Sequence, residues 1–123
     1  MSAGTYRSRS TTGFSTPFGT FSLPIDWAQS VDEVFGPHIY EVATGITEQL
    51  VPAMVSTGLT TVECLAIVSD QNISVTLGAA GTNDPIQLNA NAPLILGGTS
   101  LTAVSISNSS GSTALVSCLF GGT

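Results

Sequence analysis

Short apolar runs separated by turn-forming clusters fill the chain from residue 62 to residue 120. Several runs alternate between apolar and polar side chains, as in Leu101–Ser107. A period of two residues is typical of a strand that buries one face, and runs this short do not make ordinary helices. Turn signals recur about every 8 to 12 residues, which is typical of an antiparallel sandwich or barrel. This pattern restricts the chain to an all-β fold.

The expected fold is an all-β antiparallel β-sandwich or jelly roll of about eight strands, preceded by an extended N-terminal arm. The predicted strands are 39–42, 46–54, 62–69, 73–77, 86–88, 94–96, 101–107 and 114–120. Pro52 places the second of these strands at a sheet edge or at a bulge, because proline cannot donate a ladder hydrogen bond. With one face buried, Val104 and Ile106 point away from the side of Ser105 and Ser107.

Composition separates an N-terminal arm, residues 1–37, from a sandwich domain, residues 38–123. Residues 1–13 are small and polar and are expected to be flexible. Residues 14–29 are an aromatic docking segment in which two prolines favour extended chain. Its partner-binding side chains are Phe14, Phe18, Phe21 and Trp27. Two interpretations stay open: these rings pack on their own domain or on a neighbouring subunit. A short helical turn is predicted over residues 31–35.

The charge balance limits the possible partners. The chain has 8 acidic residues, 2 basic residues and a formal net charge of -6. Both basic residues, Arg7 and Arg9, lie in the arm, so the predicted body cannot neutralise phosphates or attract anionic lipids. The mean hydropathy of +0.39 reflects missing charges, because no apolar run approaches the roughly 20 residues of a membrane span. We expect neither nucleic acid nor a membrane as partner, and no secretory signal is indicated at the N-terminus.

The sequence offers little chemistry for catalysis. His38 is the only histidine, and no Gly-x-Ser-x-Gly elbow accompanies it, so a structural role at a strand start is expected. Cys64 and Cys118 lack metal-ligand spacing and are expected to be buried free thiols, although a disulfide stays open. We expect no enzyme, no cofactor and no metal. A small hydrolase built around His38 is the enzymatic alternative.

Three stretches carry a resemblance to a known family: Ala66–Thr76, Ile86–Leu94 and Val104–Gly111. Their succession of strands and turns resembles small tailed-bacteriophage virion proteins, and the resemblance covers residues 38–123. Members of this family have a β-sandwich or jelly-roll body. They serve as capsid decoration (cement) proteins, head-fibre bases or tail accessory modules. The resemblance implies a homo-oligomer, often a trimer, on the outside of a shell that is assembled in the host bacterial cytoplasm.

The function expected from these observations is that of a non-enzymatic virion structural protein. It would be a capsid decoration protein that binds the assembled shell through the arm and an oligomeric sandwich. Its partners would be copies of itself and the major capsid protein or neighbouring virion proteins. The absence of lysine from strand edges favours oligomers, because unguarded edges need a cover. The alternative is a receptor- or glycan-binding module, or an adaptor, of a head fibre, neck or tail.

Overall fold

A computed structural model of the chain describes residues 3–51, 59–78 and 84–123, with the backbone alone for residues 48–51. Within these ranges the chain forms ten β-strands and no helix. They are β1 (Gly4–Thr16), β2 (Gly19–Val31), β3 (Glu33–Val42), β4 (Ile46–Val51), β5 (Val62–Ser69), β6 (Ile73–Leu77), β7 (Ile86–Leu88), β8 (Leu94–Leu96), β9 (Val104–Asn108) and β10 (Ala114–Gly122). The strands pair antiparallel throughout, which confirms the predicted fold class.

Strands β1 and β2 form a long two-stranded hairpin that the sequence did not predict. Thr16 closes its turn, because its Oγ1 accepts from the Phe18 amide at 3.2 Å and donates to the Gly19 carbonyl at 2.9 Å. Gly19 has a φ of 136°, a conformation that side-chain-bearing residues rarely adopt. The residues from Gly4 to residue 13, expected to be flexible, therefore lie in a paired strand.

The other eight strands form two four-stranded sheets, ordered β3-β10-β5-β8 and β4-β9-β6-β7. The two sheets share one core, as a sandwich requires. The first sheet contributes buried side chains such as Val42, Leu65, Ile67, Val116 and Phe120, and the second contributes Ile73, Val75, Leu88, Val104 and Ile106. The predicted inward position of Val104 and Ile106 is confirmed. Strand β4 lies at a sheet edge and has a register shift near Val51, as expected for the second predicted strand.

The strand pairing joins the beginning of the body to its end. Strand β3 pairs with β10, β4 with β9, β5 with β8 and β6 with β7. The helical turn predicted over residues 31–35 is wrong, because Glu33, Val34 and Phe35 pair with the end of β10. A single short turn makes too few hydrogen bonds to compete with a ladder supplied by an adjacent strand. Pro52 lies outside the described residues.

Candidate functional site

One face of the hairpin carries its charges, and the other, which we call its apolar face, combines large apolar side chains, mostly from β2, with hydroxyl groups from β1. In its register Tyr6 is opposite Gln29, Ser8 is opposite Trp27, and Phe14 is opposite Phe21. Side chains of directly opposed residues project to the same side of an antiparallel pair. On this side large side chains therefore follow one another from the base of the hairpin to its tip. Tyr6 and Trp27 lie at the base, Ile25 and Leu23 in the middle, and Phe14 and Phe21 near the tip. We call Phe14, Phe21, Leu23 and Ile25 the apolar stripe.

The base of this face packs on the first sheet. The Tyr6 hydroxyl donates to the carbonyl oxygen of Leu65 at 3.0 Å. Gln29 accepts from the Gly98 amide at 3.3 Å and donates to a carboxylate oxygen of Glu63 at 3.3 Å. Burial raises the pKa of the Tyr6 hydroxyl, with a smaller contribution from the nearby Cys64 thiol. These contacts fasten the hairpin to its own body.

Trp27 belongs to this base rather than to the tip. Its ring lies in the space that a side chain at Gly97 would occupy, so only glycine permits this approach. It also meets the Tyr6 ring edge-on, with ring centroids 5.8 Å apart. Of the four rings predicted to bind a partner, Trp27 is thus the one that packs on its own domain in the isolated chain.

The other three predicted rings are together at the tip of the hairpin. Phe14 is 74% exposed, Phe18 94% and Phe21 60%. Phe14 and Phe21 are directly paired across the hairpin, and Phe18 lies in its turn. Leu23, also exposed, extends the same apolar face toward the base. Monomeric proteins expose single large apolar residues routinely, whereas several exposed rings at one end of an ordered element are typical of an interaction surface.

The opposite face of the hairpin carries its charges. Arg7 and Arg9 both contact one oxygen of Asp26, at 3.1 and 3.3 Å. All three side chains are largely exposed, so the pairs contribute little to stability. The Asp26 carboxylate balances one of the two positive charges, and the pairing holds both arginine side chains on the face opposite to the apolar stripe. The stripe therefore presents an uncharged surface.

The two sheets of the body differ in the chemistry of their outer faces. The second sheet displays hydroxyl and amide groups from Thr47, Ser74, Thr76, Gln87 and Ser107, and Ser105 on the same side is buried. Some of them bond across strands, as Ser74 does to Gln87 at 2.9 Å. The first sheet instead displays apolar side chains on its outer face: Ile39, Ala66, Val68, Ile95, Leu115 and Leu119. We call this set the outer sheet patch.

A cleft of about 450 Å³ separates the hairpin from strand β8. Its hairpin wall bears the hydroxyl groups of Ser8, Ser10 and Thr12, together with the Tyr6, Ile25 and Trp27 side chains. Pro93, Ile95 and Gly97 form the body wall. No charged side chain lines the cleft in the described part of the chain.

His38 lies exposed on β3 between two aromatic rings, with centroids 4.5 Å from Tyr40 and 5.9 Å from Phe35. Among the described residues, no serine or carboxylate hydrogen-bonds to it. The same ranges contain no group of three residues arranged to hold a metal ion. They also contain no helix long and apolar enough to span a membrane.

The two thiols are free and buried, as the favoured prediction had it. Burial raises the pKa of Cys118 from 9.0 to about 12. Burial and the adjacent Glu63 carboxylate raise that of Cys64 from 9.0 to about 11. Both groups are therefore protonated and unreactive at neutral pH, since the thiolate is the nucleophile.

Comparison with models of protein families, with curated protein sequences and with solved structures finds no match to this chain. The candidate site consequently rests on geometry. The structure brings Phe14, Phe18 and Phe21 together and separates Trp27 from them. Sequence reasoning missed Leu23 and Ile25 as members of the site, although the alternation of Phe21, Leu23, Ile25 and Trp27 with polar residues and a proline contained the signal.

Proposed function

We propose that the chain is a non-enzymatic structural protein of a virion, a decoration protein that binds the outside of an assembled shell through the hairpin tip. The observation that carries this proposal is the hairpin itself. Its apolar face packs on the body at the base and then continues past it as Phe14 and Phe21, with Phe18 at the turn. Exposed, uncharged rings on an ordered element favour binding to another protein, because binding removes their apolar surface from water.

The order of the hairpin favours tight binding. A disordered arm loses conformational freedom when it docks, and this loss offsets much of the gain from burial. In the hairpin, antiparallel pairing from Gly4–Val31 to Thr16–Gly19 already fixes the backbone. Preorganised elements lose less entropy on binding, so more of the burial free energy is retained as affinity.

The strand pairing of the body supports a jelly roll. Pairing of the first half of the body with the second half in reverse order, from β3–β10 inward to β6–β7, is the arrangement expected when a long hairpin rolls into two sheets. Jelly rolls are frequent in capsid domains and in lectins. This topology fits a virion protein, and it fits the glycan-binding alternative equally well.

The charge distribution also favours a protein partner over nucleic acid. The only cations of the chain, Arg7 and Arg9, contact Asp26 on the face opposite to the stripe. The two protonated, unpaired thiols are compatible with assembly in a reducing bacterial cytoplasm. A homo-oligomer, for which the resemblance to small phage virion proteins implies a trimer, is part of this proposal.

Particles purified from cells infected by the phage that encodes the chain provide the test. We expect antibodies against the chain to label the shell surface in electron micrographs, and mass spectrometry to find it at a fixed ratio to the major capsid protein. A chain that stays in the soluble fraction while shells mature normally would contradict the proposal. Labelling of the neck or tail alone would support the adaptor alternative instead.

The cleft favours one second candidate, recognition of a glycan. Aromatic and hydroxyl side chains are the groups that sugars contact, and the cleft between the hairpin and β8 presents both. If this candidate is right, the full chain binds members of a glycan array, and replacing Ser8 and Ser10 by valine abolishes that binding. Binding that survives both substitutions would place any glycan site elsewhere.

A further inference from the structure

We propose that the outer sheet patch, together with Leu23 and Ile25 of the hairpin, docks a second copy of this chain. The inference deepens the proposed function, because it assigns a surface to the expected self-association, and it leaves the hairpin tip to the shell. The composition of the patch, its continuity with the hairpin and its lack of charge favour this occupant.

The register of the first sheet groups the patch into rows. Ile39 and Val68 flank Ser117 in one row, and Leu119, Ala66 and Ile95 are adjacent in the next. Ile39 is 62% exposed and Ile95 is 52% exposed. A sandwich sheet that faces water normally carries polar residues outward, as the second sheet does here. The first sheet has the composition of a sheet that is covered on both faces.

The patch is continuous with the contact that the hairpin makes with its own body. Pro93 and Ile95 line the cleft beneath the hairpin and also line a groove of about 200 Å³ across the outer sheet patch. Ile25 lines this cleft and extends the apolar surface on the hairpin side, and Leu23 follows it along the same face of β2. A surface that already accepts one apolar strand pair from its own chain offers matching chemistry to the equivalent surface of another copy.

Charge favours a second copy over an anionic partner. The two rows contain no charged side chain. Carboxylates border the patch at one end, where Glu41 is paired with Leu115 and Asp70 accepts from the Leu115 amide, and Glu63 lies toward the other end. With no lysine in the chain and both arginines on the far face of the hairpin, a phosphate-bearing surface would find no cation here. Two acidic copies can meet through this patch because it is uncharged.

The size of the surface indicates a reversible contact. Three strands with about five residues each and β8 with 3 residues, about 4.8 Å apart and at about 3.4 Å per residue, cover roughly 300 Å². The overhanging hairpin, two strands wide, adds about 200 Å² by the same dimensions. About 500 Å² per copy lies below the roughly 800 Å² of a standard interface, so we expect association at micromolar concentrations.

The test is the mass of the full chain in solution, by sedimentation equilibrium from 1 to 200 µM. The wild-type chain should self-associate in this range, and the measured mass gives the number of copies. The double variant Ile39→Ser, Ile95→Ser should raise the dissociation constant at least about 100-fold, because both exposed side chains lose their burial in every copy. Ile46→Ser with Ile86→Ser, two exposed isoleucines of the second sheet, is the matched control and should associate like the wild type.

A wild-type chain that is monomeric at 200 µM overturns the inference, and so does a patch variant that associates normally while retaining wild-type circular dichroism. Shell binding, measured separately, distinguishes this failure from failure of the proposed function. Substituting the tip phenylalanines should abolish shell binding and leave the mass unchanged. The patch variant should remain able to bind shells as a monomer.

Discussion

Replacing the three tip rings should separate shell binding from folding. The perturbation is the triple variant Phe14→Thr, Phe18→Ser, Phe21→Thr, in which threonine retains the strand preference of the paired positions. The exposed fractions of 74%, 94% and 60%, with about 200 Å² for each ring, leave about 450 Å² of ring surface in water. At about 25 cal/mol per Å² its burial contributes about 11 kcal/mol before binding costs.

Binding costs remove about half of this gain, which leaves about 5 kcal/mol, or nearly four orders of magnitude in the dissociation constant. The free energy of unfolding should change far less. Exposed substitutions typically change it by about 0.5 kcal/mol, and the lost cross-strand pair of Phe14 and Phe21 adds at most about 1 kcal/mol.

The assay is binding of fluorescently labelled chain to shells assembled without it, with Ile46→Thr as the exposed control. We expect saturable wild-type and control binding and no measurable binding of the triple variant at a hundredfold higher concentration. The reasoning is refuted if the triple variant binds within tenfold of the wild type. Thermal unfolding checks that all three proteins are folded under the assay conditions.

Four further variants test how the body and the hairpin base are stabilised. The Tyr40 hydroxyl is buried with no hydrogen-bond partner among the described residues, so Tyr40→Phe should raise the free energy of unfolding by about 1 kcal/mol. Tyr6→Phe should lower it by about 1 kcal/mol, because it removes the hydrogen bond to the Leu65 carbonyl. Urea titrations measure both changes. Gly97→Ala should displace the indole at the hairpin base and shift its fluorescence to longer wavelength; an unchanged spectrum would contradict the close contact. The fold raises the pKa of Cys64 and Cys118, so the unfolded chain loses these protons at a lower pH than the folded chain. The free energy of unfolding should therefore fall as pH rises from about 9 to about 12. The double variant Cys64→Ala, Cys118→Ala should show a smaller decrease over this pH range. The tyrosines, whose pKa values are also raised, contribute a residual slope of the same sign.

The body was largely predictable because its strands follow the period of two. The predicted bounds of 62–69, 73–77, 86–88 and 94–96 agree with β5 to β8. In each of them a turn-forming cluster ends the run, so local preference and tertiary pairing give the same answer. Strand β3 begins six residues earlier than predicted, because pairing with β10 extends it through Gly36 and Pro37, a dipeptide that resembles a stop signal.

The aromatic residues of the candidate site were predicted from the sequence, but the hairpin that presents them was not. The polar run of β1 has no hydrophobic alternation, so nothing local identifies Gly4–Thr16 as a strand, and only its pairing with β2 does. Composition identified Phe14, Phe18, Phe21 and Trp27, but whether a ring is covered depends on where the body ends. The boundary between covered and exposed rings depends on tertiary contacts, since Trp27 packs over Gly97, a residue far away along the chain. The sequence around the rings therefore does not show it.

The outer sheet patch was unpredictable for a related reason. The sequence predicted serines on the side of β9 opposite to Val104 and Ile106, and polar residues line that side of the second sheet. In β5 the run Val62–Ser69 is apolar on both sides, and periodicity alone cannot show which side meets water. The register with β8 and β10 identifies Ala66 and Val68 as outward residues.

The central place of β10 in the first sheet has a consequence for synthesis. Val42 is paired with Ala114, and Val62 with Gly122, so neither β3 nor β5 can pair with β10 until residues 114–122 have left the ribosome. Contacts between residues this distant along the chain make folding slow. Until β10 is in place, the edges of β3 and β5 that it will pair with remain exposed. A chaperone that shields those edges during translation should therefore raise the yield of folded protein.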